Sequence, residues 1–123
     1  MLVHGRAAAR VHDVAAQVGG TPLVADLAST DDRARLIAEA QGAFGRVDVL
    51  VNNAGIGWAG RFTDMTVEKL REVVTVDLLA HLELSHAFLP AMIERGDGHL
   101  SFVTSIAGRT GVAGESVYAA APT

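Results

Sequence analysis

Short apolar runs alternate with longer amphipathic stretches along this chain, and that alternation limits the fold more than any other feature. Leu2 to His4 reads as the end of a strand. Ala7 to Val18 reads as a helix with Val11, Val14, Ala15 and Val18 on one face. Gly19-Gly20 closes it, because glycine takes the left-handed conformation that ends helices. Leu23-Val24-Ala25 is a short buried strand that stops at Asp26. Ser29 suits the N-cap of a second helix, with Asp31 and Asp32 set against the positive end of its dipole. Leu36, Ile37, Ala40 and Phe44 point inward from that helix, and Gly45 stops it.

Val47 to Val51 is the next strand, interrupted only by Asp48. After a glycine-rich turn, Thr66 caps a long helix running towards Arg95, with Pro90 expected to bend it. Gly96-Asp97-Gly98 is a turn, His99 to Thr104 a last strand, and Gly108 to Gly114 a loop. Strands separated by helices of this length imply right-handed crossovers and parallel pairing. The expected class is therefore α/β, a doubly wound parallel sheet or part of one, with residues 1–123 forming a single domain.

Composition narrows the function. Half of the 123 residues are apolar and a fifth are charged, as in a packed core. A formal net charge of -4 argues against a nucleic-acid groove, which needs clustered Lys and Arg. The absence of cysteine excludes disulfides, thiolate metal sites and cysteine nucleophiles. No uncharged stretch approaches the roughly 18 residues of a membrane span, and Met1 to Arg6 lacks the apolar core of a signal peptide. A cytoplasmic enzyme without a membrane or nucleic-acid partner is the expectation.

Ligands of open parallel sheets bind at the carboxyl ends of the strands, and three such ends carry suggestive residues. Asp26 offers a carboxylate to an adenine amino group, or is a plain loop aspartate. Asn52-Asn53-Ala54-Gly55 offers small residues against which a flat ring or ribose can lie. Thr104-Ser105-Ile106-Ala107-Gly108 is followed, thirteen residues after Ser105, by Tyr118. A strand-end hydroxyl and a tyrosine opening the next helix can polarise one carbonyl and pass it a proton. Each alone is as easily a satisfied loop serine and a surface tyrosine. Gly55-Ile56-Gly57-Trp58-Ala59-Gly60 fits G-x-G-x-x-G, but the helix cap Thr66 comes six residues later. Its amides cannot then aim at a phosphate from a helix start, so an active-site loop is the better reading. The five histidines have no metal-ligand spacing, and Trp58 is either a pocket border or packing.

The run Val47 to Gly55 (VDVLVNNAG), the TSIAG strand end, the Ser105–Tyr118 spacing and Ala25-Asp26-Leu27 together resemble the short-chain dehydrogenase/reductase family over nearly the whole chain. The resemblance implies a Rossmann-like sheet and reversible hydride transfer between a nicotinamide cofactor and a small carbonyl or alcohol. It implies that Asp26, with Leu27 beside it, contacts the adenine and that Asn53, Ala54 and Gly55 line the ribose. Ser105 would hold the substrate oxygen and Tyr118 exchange its proton. In the family an acid often ends the second strand when NAD(H) is used. Gly5 stands there with Arg6 next to it, which favours NADP(H) through a 2′-phosphate pairing.

The family pattern is also broken. Its first strand and glycine-rich TGxxxGxG turn have no counterpart, so unpaired strand edges and exposed apolar faces are expected. The lysine of Tyr-x-x-x-Lys is replaced by Pro122, which cannot lower a phenol's pKa or hold a ribose and which disfavours helix at Ala121. A relay asparagine of the family is Asp77, which cannot donate a hydrogen bond when ionised. Three readings follow. The first is an oxidoreductase fragment, truncated at both ends, with little activity of its own. The second is a non-catalytic partner that forms homo- or hetero-oligomers through the 66–95 helix, where Val73, Val76, Leu79 and Leu82 make an apolar stripe. The third is an unrelated α/β binding module.

Overall fold

The computed structural model describes residues 1–121; Pro122 and Thr123, and with them the substitution at the family's lysine position, lie outside the described residues. The chain divides into two compact units, Met1–Val47 and Asp48–Thr123.

In the first unit, β1 (Leu2–Gly5) leads through α1 (Ala8–Val18) to β2 (Thr21–Val24), and α2 (Thr30–Phe44) follows. The two strands pair in parallel, with Leu2 opposite Thr21 and Gly5 opposite Val24. Gly5 is required by packing: a Cβ there would lie 2.9 Å from Val11 Cγ2. Gly19 closes α1 in the left-handed region at φ 62°, where glycine carries no steric cost. Ser29 caps α2, its side chain accepting from the Asp32 amide at 3.2 Å. Val11, Ala15, Leu23, Ala25, Leu27, Leu36 and Ala40 are buried and form this unit's core. Val14, Val18 and Phe44, expected to face inward, are instead exposed at 39%, 48% and 48%. Val18 and Phe44 occupy the last turns of their helices, where periodicity assigns a face but nothing covers it.

In the second unit, β3 (Val49–Asn52) is followed by an irregular segment and a short 3-10 turn, Phe62–Asp64. A continuous helical stretch then runs through α3 (Val67–Val74), a π-helical turn (Thr75–Leu79) and α4 (Ala80–Arg95) to β4 (His99–Phe102) and α5 (Ser116–Ala120). Thr66 is the expected cap, accepting from the Lys69 amide at 3.2 Å. β3 and β4 pair in parallel with Asn52 opposite Phe102. Val73, Val76, Ala80, Leu84, Phe88 and Met92 bury the inner face of the long helix. Pro90 is accommodated within α4, on an exposed position.

The α/β class and the parallel pairing are as the sequence implies. The strands, however, form two separate two-stranded sheets, β1-β2 and β3-β4. Each crossover closes only its own pair, and Val49, Val51, Phe102 and Val103 keep the apolar exposure expected of incompletely covered strands. The stretch Val67–Arg95 is long and apolar enough to cross a membrane; its buried face is explained by this core.

Candidate active site

The end of β3 is tied to the long helix by three hydrogen bonds. Asn52 is buried, and its Nδ2 donates to Ser85 Oγ on α4 at 3.2 Å, while its Oδ1 is buried without a partner. One residue beyond Asn53, the Ala54 carbonyl accepts from His81 Nε2 at 2.8 Å. The Ile56 amide donates to Asp77 Oδ1, also at 2.8 Å. Asp77 lies in the π-helical turn and His81 in the first turn of α4. π-turns insert an extra residue into the helical ladder and are frequent at functional sites. The His81 ring also meets Phe102 of β4 edge-on, with centroids 6.4 Å apart.

Asp77 is only 4% exposed, and its Oδ2 is buried with no hydrogen-bond partner. Burial pushes its carboxyl above the usual carboxylate range, opposed more weakly by the Ile56 amide and by the charges of His81 and Lys69.

The opposite wall comes from the end of β4. Ser105 is half-buried and its Oγ accepts from the Ala107 amide at 3.2 Å, starting the 3-10 turn Ile106–Gly108. This leaves the hydroxyl proton available to donate. α5 carries Tyr118, half-buried, and its neighbour Val117, which is buried. The helix ends at Ala120, and Ala121 is extended at ψ 156°, as the residue before a proline should be. The loop after β3 and the loop before α5 are joined by Gly60 N–H donating to the Gly114 carbonyl at 2.9 Å. Gly114 has φ +83°, and a Cβ there would press on the Gly60 backbone at 3.3 Å.

These elements enclose a cleft of about 450 Å³ that brings together Asn53, Ala54, Gly55, Asp77, Ser105 and Tyr118. The ribose-lining and catalytic candidates among the described residues of the second unit therefore line one cleft, while Asn52 and Trp58 do not. Sequence reasoning missed His81 and Glu115, which line it too. Their signal was position alone: His81 lies four residues after Asp77, and Glu115 three before Tyr118. The G-x-G-x-x-G segment is irregular loop with no helix opening in it, which agrees with reading it as part of this site.

The remaining candidates belong to the first unit. Arg6 is exposed immediately after β1, which ends at Gly5 as the sequence implies. Asp26 lies two residues past the end of β2; its Oδ1 accepts from the Ala28 amide at 3.0 Å, and its own amide donates to Asp32 Oδ2 at 2.7 Å. Leu27 has a buried side chain, and its carbonyl accepts from Arg33 Nη1 at 2.7 Å. Arg33 is itself 3% exposed, a burial that no periodicity argument would assign to arginine. His4 Nε2 donates to the Ala25 carbonyl at 3.1 Å, and burial lowers its pKa. No group of three or more metal-ligating side chains occurs among the described residues.

Comparison with known proteins agrees with this geometry. The family model described as short chain dehydrogenase matches residues 1–122. The ketoacyl reductase HetN of a Nostoc species is 40% identical over 95 residues, covering 77% of this chain and 33% of that protein. Zebrafish (Danio rerio) dehydrogenase/reductase SDR family member 7B is 31% identical over 131 residues, covering 98% of this chain and 42% of its own length. Among solved structures, a metagenomic short-chain oxidoreductase in complex with NADP superposes with a TM-score of 0.90 at 33% identity, covering 98% of this chain and 57% of that one. The chain belongs to the short-chain dehydrogenase/reductase family. It spans about a third to two-fifths of the curated relatives it matches.

Proposed function

We propose that this chain carries the carbonyl-facing site of an NADP(H)-dependent oxidoreductase that interconverts a small carbonyl compound and its alcohol. The observation that carries this reading is the convergence of Ser105 and Tyr118 with Asn53-Ala54-Gly55 in one cleft. A planar cofactor ring fits the strand-end wall. A Cβ on Gly57 would meet nothing within 4 Å, and one on Gly55 would come no nearer than 3.8 Å to Asp77. NADP(H) would supply or accept the hydride there. The Ser105 hydroxyl donates to the substrate oxygen and orients it, and Tyr118 gives that oxygen its proton during reduction or takes it back during oxidation. Arg6, exposed beyond β1, supports NADP(H) over NAD(H) as a guanidinium partner for a 2′-phosphate. The solved relative in complex with NADP supports the same choice.

Pro122 in place of lysine limits the 123-residue polypeptide, since proline brings no ammonium to the family's lysine position. The expected outcome is little or no NADPH-dependent carbonyl reduction by the chain as it stands. Pro122→Lys should raise the rate by about 10²–10⁴, and Tyr118→Phe should remove that gain. If Pro122→Lys neither binds NADPH nor reduces any of a panel of aldehydes and ketones, the catalytic reading fails.

A second reading, a partner subunit, is favoured by one observation. Leu79, Leu82, Leu89 and Ile93 lie exposed along one helical stretch, at 41%, 53%, 37% and 69%, while Val73 and Val76 of the expected stripe are buried in the core. Co-purification with a full-length homologue, lost on Leu82→Glu, would support it.

A further inference from the structure

We propose that Asp77 is a positioning residue that works in its protonated form, so that one proton sets the strand-end wall of the cleft. Asp77 is 4% exposed and its Oδ1 accepts from the Ile56 amide, yet among the described residues no donor reaches the buried Oδ2. A buried carboxylate needs either a cation or a second donor. The elements around it bring no second donor to Oδ2, and the charges of His81 and Lys69 act on it more weakly than its burial does. His81 on α4 uses Nε2 on the Ala54 carbonyl, and Lys69 on α3 pairs with Glu72 Oε2 at 2.8 Å. Across the cleft stand Glu115 and Tyr118, and no Lys or Arg lines it among the described residues. A neutral carboxyl resolves the mismatch, because it offers one acceptor and one donor, the same pattern as a carboxamide.

The consequence falls on the loop. Ile56 hangs on Oδ1, and a Cβ on Gly55 would come within 3.8 Å of the same oxygen. Ionisation strengthens the single bond to Ile56 but leaves charge on a buried oxygen, and burial is the larger of the two effects. The charge regains water when the 53–57 segment moves away from the helix. Raising the pH should therefore loosen the wall formed by Asn53, Ala54 and Gly55, and lowering it should close that wall. The importance of this for cofactor affinity rests on the oxidoreductase reading. The wall's response to pH does not, and the test below uses no ligand.

Trp58, the chain's single tryptophan, lies two residues beyond Ile56 and reports on this segment. In the unmodified chain its emission should titrate with a midpoint above the ordinary aspartate value of about 3.9. Asp77→Asn supplies the donor permanently. It should abolish the titration and hold the emission at its low-pH value, while His81→Gln and Glu115→Gln retain the transition. Ile56 amide protection at pH 8 should rise in Asp77→Asn by about tenfold for each unit by which folding raises the carboxyl's pKa. A transition that survives Asp77→Asn, or vanishes in Glu115→Gln, overturns the proposal. Should Asp77→Asn fail to fold, the Asp77 carboxyl ¹³C shift in the unmodified chain decides: titration at or below the ordinary value overturns the proposal, and titration above it supports it.

Discussion

After β2, the Asp26 amide donates to Asp32 Oδ2 at 2.7 Å; after β3, the Ile56 amide donates to Asp77 Oδ1 at 2.8 Å. In both places a helical aspartate catches the backbone just past a strand end, where a ligand of a parallel sheet would lie. The surroundings differ. Asp32 is part of a wet network in which Arg35 binds both its carboxylate and the Val24 carbonyl. Asp77 is buried, and one of its oxygens has no partner among the described residues. The same backbone task is therefore done by a carboxylate in one unit and, on our account, by a carboxylic acid in the other.

The pH response of the two turns should then have opposite signs. The Asp26 amide and then Arg35 hold the Asp32 carboxyl below its usual range. Its contribution is present above the unfolded pKa of about 3.9 and is lost as pH falls through the folded value. His4, lowered chiefly by burial, acts in the same direction in that unit, because protonation disfavours the fold as pH drops below about 6.5. Asp77 is raised, so its contribution is complete below about 3.9 and is lost as pH rises through the folded value.

Mutation should sharpen the contrast between dry and wet supports. The largest loss is expected from Ser85→Ala, which strips the buried Asn52 amide of its partner in the second unit. Denaturant unfolding should show a loss of about 2 kcal/mol, insensitive to salt because both groups are neutral. In the first unit, Ser29→Ala removes the α2 cap and should cost about 1 kcal/mol, with the loss read as faster amide exchange at Asp32. If the Ser29 cap matters more than the buried Ser85 contact, dry polar contacts are not what hold the β3 end.

Much of this was legible in the chain. The caps at Ser29 and Thr66 are local signals that the structure bears out, and the Asn53-Ala54-Gly55 strand end and the Ser105–Tyr118 spacing are local signals whose residues meet in one cleft. The π-turn at Thr75–Leu79 carried no glycine or proline to mark it, and it places Asp77 where it holds the Ile56 amide. Arg33 reads as a surface charge until its contacts to Leu27 and Thr30 are seen, because its burial depends on backbone carbonyls that sequence does not display. Phe44 shows the reverse: helical spacing identifies a face, but burial needs a partner across from it. The division into two sheets follows from strand pairing and could not be read from strand order alone.

The most direct test is amide hydrogen exchange at Asp26 and Ile56, followed from pH 2 to pH 8 in the unmodified chain and corrected for intrinsic rates. Protection at Asp26 should rise with pH while protection at Ile56 falls. Protection that moves in the same direction at both amides, or an Ile56 amide indifferent to pH, would contradict it.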